Sequence, residues 1–375
     1  MAIYLDNNAT TRPAPEVLEV MQRHWRDSFA NPGSQHAAGR RARQVLEAAR
    51  ESIAAILGAS PDEVIFTSGG TEANNMAVLG VDNGRPGTIA LTAGEHPAVM
   101  EAARHLQQQG WALHDLQVEE TGRLDPNQYA GLPWADLKLV AVILAHNETG
   151  VIQDLAPLQA ECQAHGVPFH IDAVQAVGKI PVDFHKLGAG TLALGAHKFQ
   201  GPRGIGALLV RQGIRLTRCA FGGHQEADRR PGTEVVPLIA GMARALELFH
   251  AEQESRQRRL SELRDRLQSG LQAGCSPVVI NGAGAPRLPN TLNIAFPGVD
   301  GEALLVALDL EGVACSLGST CASGSAEPAP VLLAMNCPAE VLRSSIRLSL
   351  GVENTGEEID EAVEIISRLV QRLRG

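Results

Sequence analysis

The chain has 375 residues, 44% of them hydrophobic and 20% charged, which is long and apolar enough for one large core or two domains. Its formal net charge of -10 excludes a protein built to coat nucleic acid, because phosphate binding needs a surplus of Lys and Arg. No apolar run is long enough to span a membrane, and Met1-Ala2-Ile3-Tyr4-Leu5-Asp6 lacks the basic and apolar regions of a signal peptide, so a cytoplasmic location is expected.

Strand-like and helix-like segments alternate through the first two-thirds. Val64 to Thr67 is a short apolar strand, followed by Ser68-Gly69-Gly70 and then Thr71-Glu72-Ala73-Asn74, which opens a helix. Thr88 to Thr92 is a strand and a helix follows from about Pro97. Leu139 to Ala145 is apolar on both faces, as in a central parallel strand covered by helices. Val167 to Ile171, Thr191 to Leu194 and Gly204 to Val210 continue the series. Strands separated by helices imply βαβ units and a mainly parallel sheet, an α/β fold whose ligands gather beyond the carboxyl ends of the strands.

From Pro237 to about Leu271 the pattern is long, charged and helical, fit to bridge two domains. Beyond it, Thr291 to Phe296, Glu302 to Leu310 and Val313 to Ser316 resume the alternation. In Ser345 to Leu350 the apolar Ile346, Leu348 and Leu350 share one face, and Ser345, Arg347 and Ser349 share the other. Thr355-Gly356-Glu357-Glu358 is a capping box for a last helix carrying Ile359, Val363, Ile366 and Leu369 on one side. A smaller α/β domain is expected from about residue 250 onward.

The six cysteines are Cys162, Cys219, Cys275, Cys315, Cys321 and Cys337, and no C-x-x-C pair or other metal-ligand spacing occurs. Free thiols are expected. Cys162, Cys219 and Cys275 read as small buried hydrophobes, and Cys315, at a strand end, as packing.

Three segments bear on chemistry. Lys198 follows a strand inside Gly195-Ala196-His197-Lys198-Phe199-Gln200-Gly201-Pro202; a lone lysine is ordinarily solvated, but an amine poised in such a loop can form a Schiff base with an aldehyde cofactor. Asp172 ends an apolar strand, where it is either a helix cap or a fixed anion for a protonated ring nitrogen. Thr67-Ser68-Gly69-Gly70-Thr71-Glu72 joins a strand to a helix, either as an ordinary turn or as a phosphate cradle of free N–H groups; it is not a P-loop, since no Gly-Lys-Ser/Thr follows.

Together these segments resemble the NifS/IscS-type cysteine desulfurases of the class V aminotransferase family, which are fold-type I pyridoxal-phosphate enzymes. The resemblance spans nearly the whole chain in order: Tyr4 to Thr11, Ser68 to Asn75, Glu95-His96-Pro97, Asn147-Glu148-Thr149-Gly150, His170 to Gln175, His197-Lys198, Gly232-Thr233 and Ser344-Ser345-Ile346-Arg347. It implies an N-terminal segment 1–15 packed on the small domain, a large cofactor-binding domain 16–250 and a small domain 251–375. It implies that Lys198 carries pyridoxal 5'-phosphate and shuttles protons, that Asp172 pairs with the pyridine nitrogen, and that Gln175 bonds the ring hydroxyl. Likewise His96 stacks on the ring and acts in proton transfer, and Gly70, Thr71 and His197 hold the phosphate. Thr233 reaches the phosphate of a neighbouring subunit, which implies a homodimer. Asn147 and Arg347 orient the substrate carboxylate, and an arginine fork suits that geometry.

The segment Cys315 to Pro328 decides the expected reaction. Residues 316–325 are nearly all small or polar, as in an exposed loop, and the resemblance makes Cys321 the nucleophile that takes sulfur from L-cysteine. The expected products are alanine and a Cys321 persulfide, passed to an acceptor such as an iron–sulfur scaffold or a tRNA-thiolation enzyme. The alternative is a selenocysteine lyase or another class V aminotransferase or lyase, which needs no thiol for transamination. The sequence departs from the family pattern at Gly195, where a Ser is usual, at His146, where Asn is common, and at Thr320, where Ala is frequent. The missing hydroxyl at 195 predicts weaker cofactor retention, by about 1 kcal/mol.

Overall fold

Aliphatic runs fully covered on both faces become strands here, and amphipathic segments pack over them. In the computed structural model, which describes residues 2–81, 84–317 and 328–375, the order begins with strand β1 (Ile3–Tyr4) and helices α1 (Pro15–Asp27) and α2 (Ala37–Ile56). There follow β2 (Val64–Thr67), α3 (Gly70–Leu79), β3 (Thr88–Thr92), α4 (Pro97–Gln108), β4 (Ala112–Leu116) and β5 (Leu137–Ile143). Next come α5 (Ala156–His165), β6 (Phe169–Asp172), β7 (Thr191–Gly195) and β8 (Gly206–Val210).

Among the described residues these strands build a seven-stranded sheet in the order β2-β8-β7-β6-β5-β3-β4. Neighbours pair in parallel except at β8, which is antiparallel to both β7 and β2. Hence β2 runs in the same direction as β7, and the carboxyl ends of β2, β3, β5, β6 and β7 open on one edge. The reversal of β8 is not visible in the expected apolar run, because periodicity carries no direction. Helices α1 and α2 and strand β4 are absent from the elements expected from sequence. The buried Leu46, Ala49 and Ile53 of α2 nevertheless have helical spacing.

Helix α6 (Val236–Gly274) has 39 residues, a length of about 58 Å. Its first part, from Val236 to Phe249, packs in the core of the large sheet. Its later residues Leu260, Leu267 and Leu271 pack in a separate core. The intervening turns, His250 to Arg259, are polar and charged, so one helix serves two cores.

That second core is covered by a sheet of β9 (Val279–Ile280), β10 (Thr291–Ala295), β12 (Ser316–Leu317) and β13 (Ser345–Ser349), ordered β12-β13-β10-β9 with antiparallel neighbours. Helices α7 (Gly301–Leu310) and α10 (Gly356–Arg374) pack on it, while α8 (Pro330–Ala334) and α9 (Ala339–Ser344) lead into β13. The expected single strand Val313 to Ser316 is two short ones. Strand β11 (Val313–Ala314) pairs with β1, and β12 pairs with β13. The N-terminal strand thereby joins the second core, where Ile3 and Leu5 are buried. Ile346, Leu348 and Leu350 point into the same core, and the capping box of Thr355 and Glu358 opens α10.

The described cysteines are free. Cys162 and Cys275 are buried as expected, but Cys219 is exposed. It lies between β8 and α6 in an irregular stretch, Arg215 to Gly223, outside both main cores. No helix among the described residues is long and apolar enough to cross a membrane.

Candidate active site

The loops leaving β2, β3, β5, β6 and β7 converge with β13 and the N-terminal segment around a cavity of 380 Å³. Gly70 and Thr71 line it at the start of α3, His96 at the start of α4, and Asn147 just after β5. Asp172 ends β6, Gln175 lies in the next turn, and His197 and Lys198 occupy the turn after β7. Arg347 enters from β13. Thr233 is exposed and does not line the cavity. Its loop is tied to α3 by Arg230, whose Nε donates to Glu72 Oε1 at 2.8 Å. Cys321 lies outside the described residues; Ser316 and Leu317, ahead of it in sequence, belong to the cavity wall.

Lys198 Nζ donates to the carbonyl oxygens of Asn8, at 2.7 Å, and Ala9, at 2.9 Å. Burial, with the Arg347 guanidinium acting in the same direction, pushes its amine down to about 8. Asp172 is acceptor to Asn74 Nδ2 at 2.8 Å and to the Val174 N–H at 2.9 Å. Burial raises its carboxyl above the ordinary range. His197, near Thr10 Oγ1 at 3.2 Å, is pushed down to about 4 by burial and by Lys198, so it is neutral at physiological pH.

His96 caps α4: its Nδ1 accepts the Ala98 N–H at 3.0 Å. The neutral ring therefore carries its proton on Nε2, and a second proton would have to displace the cap. Burial lowers its pKa in the same sense.

Several residues that sequence reasoning passed over organise the site. Asn8 is fully buried between the two cores. Its Oδ1 accepts from Lys179 Nζ at 2.7 Å and Asn290 Nδ2 at 3.1 Å; its Nδ2 donates to Asn147 O at 3.0 Å and Thr291 Oγ1 at 2.9 Å. Its carbonyl receives Gln175 Nε2 at 2.8 Å as well as Lys198. Lys179 also donates to Gln175 Oε1. Burial, then the like charges of Lys198 and Arg347, push the Lys179 amine well below its usual value.

Arg347 is gripped by two carboxylates, donating from Nη1 to Glu148 Oε1 at 2.7 Å and from Nη2 to Asp6 Oδ1 at 2.8 Å. Asn147 Nδ2 donates to the same Glu148 oxygen at 2.8 Å. Burial raises the Glu148 carboxyl, and Arg347 opposes the rise. Asp6 and Glu148 lie inside the segments Tyr4 to Thr11 and Asn147 to Gly150 that carry the family resemblance, but no role was expected of them.

The sequence model of the family described as aminotransferase class-V matches residues 3–362. The chain belongs to that family. It is similar to the cysteine desulfurase IscS of Dictyoglomus turgidum (strain DSM 6724 / Z-1310), 41% identical over 375 residues that cover 99% of this chain and 95% of the relative. It is also similar to the cysteine desulfurase NifS of Azotobacter vinelandii, 40% identical over 99% of this chain and 93% of that one. Among solved structures, a NifS-like protein superposes with a TM-score of 0.92 at 35% identity, covering 100% of both chains.

Class V aminotransferases use pyridoxal 5'-phosphate, and the cavity fits that molecule. It offers an amine leaning toward its uncharged form, an acceptor-only carboxylate, and a helix N-terminus that no described side chain caps. A Cβ at Gly70 would lie 2.6 Å from Val174 Cγ2, so only glycine lets α3 begin this close to the turn after Asp172. At Gly195 a Cβ would lie 3.3 Å from the Gly70 nitrogen, so a serine there would face the same helix start. His146, the other departure from the family pattern, is a fully buried brace. Its Nε2 lies 2.7 Å from Gly94 O and its Nδ1 accepts the Glu148 N–H at 3.1 Å, joining the loop of His96 to that of Asn147.

Proposed function

We infer that this chain is a cysteine desulfurase, which removes sulfur from L-cysteine to give alanine and a persulfide on Cys321. One observation carries the reading: the Lys198 amine, the Asp172 carboxylate and the Arg347 fork face a single cavity whose wall includes Leu317, four positions before Cys321. Lys198 would hold the cofactor, Asp172 would pair with its ring nitrogen and Gln175 with its ring hydroxyl, and Gly70, Thr71 and His197 would hold its phosphate. Pyridoxal phosphate supplies an aldehyde and a ring that takes up negative charge.

The residues of the chain do the rest. With its amine pushed to about 8, Lys198 is partly uncharged near neutral pH, as a nucleophile and proton carrier must be. Asn147 and Arg347 orient the substrate carboxylate. The raised Glu148 carboxyl takes a proton more readily as a second anion approaches Arg347. His96, with its proton on Nε2, would act as a hydrogen-bond donor to the bound ring and would accept a proton only by releasing the α4 cap. The Cys321 thiolate attacks the substrate sulfur: a new S–S bond forms, the substrate C–S bond breaks, and the carbon left behind takes a proton to become alanine.

The reading extends to a homodimer in which Thr233 reaches the neighbouring subunit's phosphate. The exposed Trp25, Phe29 and Phe221 favour such an apolar contact. It includes a division into 1–15, 16–250 and 251–375, favoured by the separate cores, and a cytoplasmic setting in which thiols stay reduced. The persulfide passes to a sulfur acceptor, an iron–sulfur scaffold or a tRNA-thiolation enzyme. Two measurements test the proposal. Borohydride should fix the cofactor to the Lys198 peptide, and incubation with cysteine should add one sulfur mass to the Cys321 peptide, absent in Cys321→Ser. A cofactor label elsewhere, or full turnover by Cys321→Ser, refutes it.

A further inference from the structure

Beneath Asp172 lies a file of buried polar side chains that the reaction itself does not touch. His170 and Asp172 are two apart on β6, so both face α3, and His170 pairs across the sheet with Thr191 of β7. His170 Nδ1 is 2.8 Å from Thr191 Oγ1, and its Nε2 is 2.9 Å from Asn74 Oδ1. Asn74 Nδ2 in turn donates to Asp172 Oδ2 at 2.8 Å. All four side chains are buried.

The position of every proton in this file follows from its far end. An ionised carboxylate only accepts, so Asn74 must turn its NH2 toward Asp172. The Asn74 oxygen then faces His170 Nε2, which must carry a hydrogen. Burial holds His170 neutral, far below its ordinary value at about 3, so its Nδ1 is bare and accepts the Thr191 hydroxyl. Every hydrogen bond thus points from Thr191 toward Asp172, and aligned hydrogen bonds polarise one another.

That alignment opposes a specific hazard. Burial raises the Asp172 carboxyl and favours its neutral acid, and a neutral acid cannot hold a protonated ring nitrogen. Against burial, the charged form is favoured by the neighbouring His96 and Lys198 and by two hydrogen-bond donors, of which Asn74 supplies one. Flipping the Asn74 amide would set an oxygen against the carboxylate, and the His170 N–H is what prevents the flip.

We propose that Thr191, His170 and Asn74 are positioning residues that keep Asp172 ionised, and so keep the ring nitrogen of the bound cofactor protonated. The proposal rests on Asp172 as the partner of that nitrogen. The ordinary alternative is a satisfied core histidine that contributes packing alone.

The test uses pyridoxal phosphate labelled with 15N in its ring, bound to the full-length protein, with the nitrogen shift reporting protonation. Asp172→Ala sets the unprotonated limit. Asn74→Leu and Thr191→Val, the latter nearly isosteric, should each move the shift part-way toward that limit. Asn74→Leu should also weaken cofactor binding about ten- to a hundredfold. In cofactor-free protein labelled with 15N-histidine, His170 should show a protonated Nε2 and a bare Nδ1, and Thr191→Val should disturb that pattern. Should Asp172→Ala move the shift while Asn74→Leu and Thr191→Val leave it at the wild-type value, the relay is overturned and Asp172 keeps its role. No change even in Asp172→Ala overturns the assignment of Asp172 and the relay with it.

Discussion

Replacing Arg347 by methionine leaves Asp6 and Glu148 facing each other without their shared cation. Their present distances to the guanidinium are 2.8 Å and 2.7 Å, and the arginine side chain is only 7% exposed. Breaking a buried ion pair by removing one partner costs about 3–5 kcal/mol. The partial exposure of Asp6, at 20%, places the expected loss at the lower end, ~3 kcal/mol at pH 8. The loss should depend on pH with a definite sign. Burial already raises Glu148, and removing Arg347 takes away the influence that lowers it. A carboxyl raised on folding binds more protons in the native than in the unfolded state, so its stability contribution is lost as pH rises from the ordinary glutamate range through the raised value. The penalty of Arg347→Met should therefore be smaller at pH 5 than at pH 8, because protonation of the raised Glu148 carboxyl removes the anion that the lost cation leaves unpaired. Urea unfolding of the cofactor-free protein, followed by far-ultraviolet circular dichroism at the two pH values, measures it. An equal penalty at both, or none at pH 8, would refute the reasoning.

Other perturbations have defined outcomes. Gly195→Ser adds a hydroxyl facing the start of α3 and should tighten pyridoxal phosphate binding about fivefold, read by fluorescence titration; unchanged affinity means that start contributes nothing through residue 195. Asn8→Ala removes hydrogen bonds between the two cores and should cost ~3 kcal/mol, with calorimetric unfolding of the variant resolving further into two transitions than that of the parent chain. Acylation of Lys198 in the cofactor-free protein should be half-maximal near pH 8, and Arg347→Met should move that midpoint upward. Because the unfolded chain holds the Lys198 proton to higher pH, stability of the cofactor-free protein should rise from pH 8 toward the ordinary lysine range, which pH-dependent urea midpoints check.

Much of the fold was legible because burial writes itself into residue order. Leu139 to Ile143 and Thr191 to Leu194 are covered on both faces and therefore apolar throughout, whereas Ser345 to Leu350 alternates because one face meets a core. The α2 helix is equally legible, since its buried Leu46, Ala49 and Ile53 recur at helical spacing. The direction of β8 and the split at Cys315 were not, because pairing partners are chosen by distant strands.

The sequence by itself placed Lys198, Asp172 and Arg347 at the end or on the polar face of strands, because that pattern is local, and the family resemblance attached candidate roles to them. Only the tertiary structure decided their environment. Asn8, Lys179, Glu148, Asn74 and His170 act through partners as much as 283 positions away, and Cys219, read as buried, is exposed. A side chain's residue type and spacing are fixed by the chain, but its dielectric surroundings and hydrogen-bond partners exist only once remote segments have packed, and those set the protonation state on which the chemistry depends.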